Sequence, residues 1–147
     1  MGMTARLDTM QAAILLAKLE IFDDELAKRQ QVAEIYQKLL DDVAQAPQLA
    51  PSATSSWAQY VIRLPRETDR EAVQAAMREQ GVPTAIYYPR PMHTQPIYTR
   101  YPVTLSGLSL TEKLAHDVLA LPMHPYLEKQ TQIQVIAALQ NALEAQK

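Results

Sequence analysis

The chain predicts an α+β fold, with a long N-terminal helix packed with a small three-stranded sheet and its helices. Three observations lead there. Residues 3–46 contain neither Gly nor Pro and are mostly good helix formers. Beyond residue 56, short apolar runs of strand character alternate with stripes of helical period. Eight of the ten prolines fall between Pro47 and Pro102, so changes of direction concentrate in the middle of the chain. The expected organisation is a helical spine over residues 1–46, an exposed linker over 47–56 and a small α+β domain over 57–147.

The spine reads as one long helix or two in tandem. Leu7, Met10, Ile14, Ala17 and Ile21 form one apolar seam, and Leu15, Leu19, Phe22, Leu26, Ala33, Tyr36 and Leu40 form a second. Two seams mean cover on two sides, and residues 12–19 are apolar nearly all round except at Lys18. A chain of 147 residues has too little mass to wrap such a helix, so part of its cover is expected to lie elsewhere. Asp8 with Gln11 fits a variant capping box at the helix start, worth about 1 kcal/mol. Asp23-Asp24-Glu25 marks a restart or bend after Phe22, because acids favour a helix N-terminus.

The small, polar, Pro-punctuated stretch APQLAPSATSS ends the spine. Residues 57–64 follow as a strand, rich in aromatic and β-branched side chains, with Ala58, Tyr60, Ile62 and Leu64 on one face. Thr68 and Glu71 fit a capping box for a helix striped by Val73, Ala76 and Met77, and Gly81 stands where a left-handed C-cap belongs. Residues 82–88 read as a second strand stopped by Pro89, with Pro83 implying an edge or irregular start. After a loop to about Gly107, Ser109 and Glu112 suggest another capping box, for a helix to about Asp117. Residues 118–121 form a third strand ended by Pro122, and residues 128–145 a terminal helix with Ile133, Ile136, Leu139 and Leu143 apolar.

Composition limits the function classes. With 48% hydrophobic and 20% charged residues and a net charge of −2, the profile is that of a globular domain with scattered basic residues, which argues against nucleic acid as a partner. The absence of cysteine excludes disulfides, thiolate metal sites and Cys nucleophiles. No apolar run approaches the roughly 20 residues that span a bilayer, and the N-terminus lacks the order of a signal peptide, so no membrane partner and a cytoplasmic location are expected. The three histidines have no metal-ligand spacing, no serine has a partnered His and Asp, and three glycines make no phosphate loop.

Candidate site residues cluster around the Pro-rich loop. Tyr87 and Tyr88 end a strand beside it; they either line a binding site, Tyr88 foremost, or face opposite sides as core and surface. His93 and Gln95 are suited to hydrogen-bonding a polar ligand, although a lone loop histidine is more often solvated. His124 is read as shaping a turn and His116 as surface. Near the N-terminus, Arg6 can bind a carboxylate through two parallel hydrogen bonds or pair with Asp8 within the chain.

Four motifs then occur together and in order. They are Gly2-x-x-x-Arg6-Leu7-Asp8-x-x-Gln11-Ala12-Ala13, Gly81-Val82-Pro83-Thr84, Tyr87-Tyr88-Pro89-x-Pro91-Met92-His93-x-Gln95-Pro96, and Leu121-Pro122-Met123-His124-Pro125. Over nearly its whole length the chain resembles the C-terminal portion of a sugar aminotransferase of the DegT/DnrJ/EryC1/StrS family. These are pyridoxal-phosphate enzymes of fold type I that aminate keto groups on nucleotide-linked sugars. Within the family, the loop and the helix start resemble the branch that aminates the 3-keto group of a UDP-linked N-acetylated glucuronic acid, with glutamate as donor, for surface polysaccharide biosynthesis.

The resemblance implies a C-terminal domain whose cofactor lies in a missing N-terminal domain that supplies the Schiff-base lysine. None of Lys18, Lys28, Lys38, Lys113, Lys129 and Lys147 has the family's context for that lysine, so no catalytic residue and no covalently bound cofactor are expected here, and the chain alone should be inactive. The resemblance also implies a homodimer or larger assembly. Its segment before the first helix reaches the partner's site, where Thr4 stands in place of an Asn that contacts the cofactor phosphate. Arg6, Tyr87, Tyr88, His93 and Gln95 are the implied substrate-binding residues. The alternatives are a free-standing small-ligand-binding module and a helix-mediated self-association module, neither catalytic.

Overall fold

The computed structural model describes residues 5–146. Its elements are α1 (Thr9–Leu19), α2 (Phe22–Leu39), β1 (Tyr60–Arg63), α3 (Arg70–Glu79), a single 3-10 turn (Met92–Thr94), α4 (Ser109–Asp117), β2 (Val118–Leu121) and α5 (Lys129–Glu144).

The spine is two helices, separated at Glu20 and Ile21. Asp8 is the N-cap of α1 and its carboxylate accepts from the Met10 amide at 2.8 Å. The break falls just before Phe22 rather than after it, and Asp23, Asp24 and Glu25 then occupy the first turn of α2, where the helix dipole favours negative charge. The two halves have different fates. Val32, Ala33, Tyr36 and Leu40 are buried in the core, whereas none of the residues of α1 is buried.

The sheet has two strands, not three. β1 and β2 pair antiparallel with Tyr60 opposite Leu121 and Ile62 opposite Leu119, and these four side chains form its core face. The expected second strand, residues 82–88, touches the sheet through one bridge between Ala85 and Ala120. Pro83 contributes no amide to a ladder, and the Thr84 carbonyl and hydroxyl are engaged by the Gln74 side chain. On the other edge, Gln45 exchanges two backbone hydrogen bonds with Arg63.

Against the core face lie α2 and α5, with α3 beside α5. The Tyr60 ring sits 5.1 Å from that of Tyr36 and 5.5 Å from that of Trp57, giving an aromatic cluster worth more than its area alone. The Tyr36 hydroxyl donates to the Pro122 carbonyl at 3.0 Å, while the buried Tyr60 hydroxyl has no protein partner. Burial disfavours the ionised form of both phenols, pushing the pKa of Tyr60 up to about 12. Trp57 adopts a left-handed backbone, φ 47°, that turns its indole inward to donate to Gln30 at 2.7 Å.

The inward stripe of α5 is Gln132, Val135, Ile136, Leu139 and Ala142, and Ile133 is 38% exposed. The stripe expected through Ile133 is thus rotated, because Gln132 turns in to donate to the Val32 carbonyl at 2.8 Å. A second tie joins the same helices' surroundings: the Tyr126 hydroxyl donates to Glu25 at 2.8 Å, beneath the Lys28 ammonium.

Two of the expected caps differ. Asp69 rather than Thr68 caps α3, accepting from the Glu71 and Ala72 amides, and Leu108 stands at the N-cap of α4, leaving Ser109 inside the helix. At the far end of α3, Gly81 at φ 78° lets its amide reach the Arg78 carbonyl and the Val82 amide reach that of Met77, a Schellman closure. A β-carbon at Gly81 would meet nothing within 4 Å, so the requirement there is conformational rather than spatial. Among the described residues no helix is long and apolar enough to cross a membrane, and no group of three or more His, Asp or Glu side chains could hold a metal ion.

Candidate substrate cleft

The loop after Ala85 folds over the outer side of the sheet and leaves a cleft of about 440 Å³. One wall is Thr111, Leu114 and Ala115 of α4 with Val118 of β2; the other is Tyr87, Tyr88, Arg90, Pro91, Met92 and Gln95. The first wall follows from strand alternation. Leu119 and Leu121 point into the core, so Val118 faces the cleft.

Several contacts hold the α4 wall. The Arg70 guanidinium, from the start of α3, donates to the Ala115 and Val118 carbonyls, placing positive charge at the C-terminal end of α4. Asp117 accepts twice from Arg63, at 2.9 and 3.1 Å, and its carbonyl accepts from the Leu64 amide. The helix therefore ends in a fixed position against β1.

The loop wall is tied down as well. The Ala85 and Ala120 amides and carbonyls bond reciprocally at 3.2 and 2.8 Å. The Tyr87–Tyr88 peptide is cis, and the two rings meet edge to face with centroids 6.2 Å apart. Tyr88 is 73% exposed, and Tyr87 also borders a smaller hollow of about 260 Å³ near Pro122 and Met123. The 3-10 turn is closed by the Thr94 hydroxyl and amide on the Pro91 carbonyl.

The structure brings together Tyr87, Tyr88 and Gln95. His93 is not part of the lining: its Nε2 lies 2.9 Å from Glu112 Oε1, an ion pair when the imidazole is protonated, joining the loop to the first turn of α4. Arg6 is exposed on the segment before α1, lies outside the cleft and makes no ion pair with Asp8. Thr4 lies outside the described residues. His124 accepts from the Tyr126 amide and shapes the turn before α5, and His116 is exposed on α4. Two polar lining residues escaped the sequence reading, Arg90 and Thr111. Arg90 had a signal: a basic side chain between two prolines, inside the loop singled out for binding.

The lining is one cationic side chain, two phenols, an amide and a hydroxyl over an apolar floor. Such a surface suits a polyhydroxylated or heterocyclic ligand that also carries negative charge.

The sequence profile of the DegT/DnrJ/EryC1/StrS aminotransferase family matches residues 1–140. The chain belongs to that family. It is 43% identical over 141 residues to the UDP-2-acetamido-2-deoxy-3-oxo-D-glucuronate aminotransferase of Pseudomonas aeruginosa, covering 95% of this chain and 38% of that protein. The crystal structure of a DegT DnrJ EryC1 StrS aminotransferase from Brucella abortus superposes with a TM-score of 0.88 at 39% identity, covering 97% of this chain and 37% of that one. DesV of S. venezuelae, solved in complex with a ketimine intermediate, superposes at 0.84 with 30% identity, over 97% of this chain and 38% of that one. The chain thus spans less than two-fifths of the length of these relatives.

Among the described residues no lysine lines the cleft. Lys28 is held by Asp24 and lies over Tyr126, and Lys18, Lys38, Lys113 and Lys129 stand on helices away from the lining. The cleft's own residues therefore offer no amine for covalent attachment of a carbonyl cofactor.

Proposed function

We propose that this chain is the C-terminal part of a pyridoxal-phosphate-dependent sugar aminotransferase, and that its cleft takes part of a nucleotide-linked sugar carrying a keto group. The substrate we infer is a UDP-linked 3-keto derivative of N-acetylglucuronic acid, with glutamate as amino donor. The observation that carries this reading is the Tyr87, Tyr88 and Gln95 cleft, in a chain 43% identical to an aminotransferase named for that substrate.

The roles follow from the chemistry of the lining. Tyr88 offers a ring for stacking and a hydroxyl, Tyr87 a ring packed against it at a steep angle, and Gln95 an amide that both donates and accepts toward sugar hydroxyls. The cofactor would supply the electron sink of the reaction; the residues described here do not fit its covalent site, so the reactive amine belongs to the rest of the enzyme and this chain alone is inactive. Arg6, on an exposed segment before α1, is assigned to the substrate of a partner subunit, and Thr4 to the cofactor phosphate there. In this reading α1 is the surface on which the remainder of the enzyme and a second subunit pack, and the isolated chain self-associates through it.

Calorimetric titration with a UDP-linked uronic acid tests the cleft. Saturable binding, weakened at least about tenfold in Tyr88→Ala, is expected. Wild-type protein that shows no saturation would remove the basis of the reading.

A further inference from the structure

Resting on the nucleotide-sugar reading of the cleft, we propose that Arg90 is the residue that recognises an oxyanion of the substrate, on a backbone stiffened in advance for that contact. Arg90 is flanked by Pro89 and Pro91. Each proline fixes its own φ, and Pro91 confines the residue before it to extended backbone, so the main chain at Arg90 has little freedom left to lose on binding. Pro91 itself is extended, at φ −58° and ψ 151°.

The strut is anchored beyond Pro91. The Thr94 hydroxyl donates to the Pro91 carbonyl at 2.9 Å, and the His93–Glu112 contact, also 2.9 Å, fastens the 3-10 turn to α4. His93 thereby holds the wall on which Arg90 stands instead of meeting the ligand. Among the described residues, Arg90 has no ion-pair partner, in contrast to Arg63 with Asp117. Every other lining side chain is neutral. An unpaired guanidinium in a neutral cleft matches a carboxylate or a phosphate through two parallel hydrogen bonds. Both groups occur in a nucleotide-linked uronic acid: the sugar carboxylate and the diphosphate.

The test titrates wild type, Arg90→Gln, Arg90→Lys and Tyr88→Ala with UDP-glucuronate and with UDP-glucose, at low and high salt. Arg90→Gln should weaken UDP-glucuronate about tenfold and flatten its salt dependence, and Arg90→Lys, which keeps the charge and loses the fork, should fall between. Loss confined to UDP-glucuronate assigns the carboxylate, and equal loss for both ligands assigns the diphosphate. If Arg90→Gln binds both ligands as wild type does while Tyr88→Ala does not, the Arg90 assignment is overturned and the cleft reading stands. If wild type binds neither ligand, both fall.

Discussion

Helices α1 and α5 are both rich in apolar residues, yet one is bare and the other is the centre of the core. Met10, Ile14, Leu15, Leu16 and Leu19 of α1 are all at least 48% exposed, and Leu7, Ile21 and Phe22 at its ends are at least 45% exposed. In α5 six residues are buried, among them a glutamine. Apolar content therefore does not by itself decide burial; the presence of matching surfaces does. α5 has α2 on one side, α3 on the other and the sheet beneath. α1 touches little beyond the start of α2. An exposed apolar surface of this kind marks an interaction site.

That contrast can be broken in order of effect. Leu139→Ala should cost about 2–5 kcal/mol in chemical denaturation, through lost burial and the cavity left behind, whereas Leu15→Ala should cost less than about 0.5 kcal/mol in the monomer. Equal losses at a dilution that keeps the chain monomeric would mean that α1 is packed within its own chain. Size exclusion with light scattering should give a dimer or larger species for the wild type and a monomer for Leu15→Glu or Phe22→Glu; a wild-type monomer would contradict self-association through α1.

Within the core, two tyrosine hydroxyls of the aromatic cluster differ in the same way. Tyr36→Phe removes a hydrogen bond to the Pro122 carbonyl and should cost about 1 kcal/mol, while Tyr60→Phe removes a buried hydroxyl without a protein partner and should be neutral or slightly stabilising. The pH dependence follows from the same rings. An unfolded tyrosine ionises near 10 and folded Tyr60 near 12, so between those values the unfolded chain holds fewer protons. The stabilisation from keeping this phenol neutral is complete below pH 10 and is lost as pH rises through 12. Denaturation midpoints should fall across that window in wild type and fall less in Tyr60→Phe.

Local rules made much of this fold legible. Pro122 and the apolar run before it defined β2, and Gly81 announced the Schellman end of α3, because backbone requirements at such residues admit few alternatives. The expected second strand failed because residues 82–88 satisfy their polar groups through Gln74 and a single bridge, a competition visible only in three dimensions. The caps shifted for a similar reason: the Asp69 carboxylate takes two amides at once. At the cleft, Tyr87, Tyr88 and Gln95 could be found from the Pro-rich loop. His93 could not be separated from them without knowing that Glu112, nineteen residues later, lies against it. Arg90 fills the unspecified position between Pro89 and Pro91 of that motif, so the motif itself gives it no weight.

In the proposed division of labour this chain carries a substrate wall of an aminotransferase and not its reactive amine. Incubation with pyridoxal phosphate, borohydride reduction and mass spectrometry test it most directly. Scattered, substoichiometric labelling of surface lysines is expected. Stoichiometric labelling of a single lysine, with the matching visible absorption band, would contradict it and place a complete cofactor site within these residues.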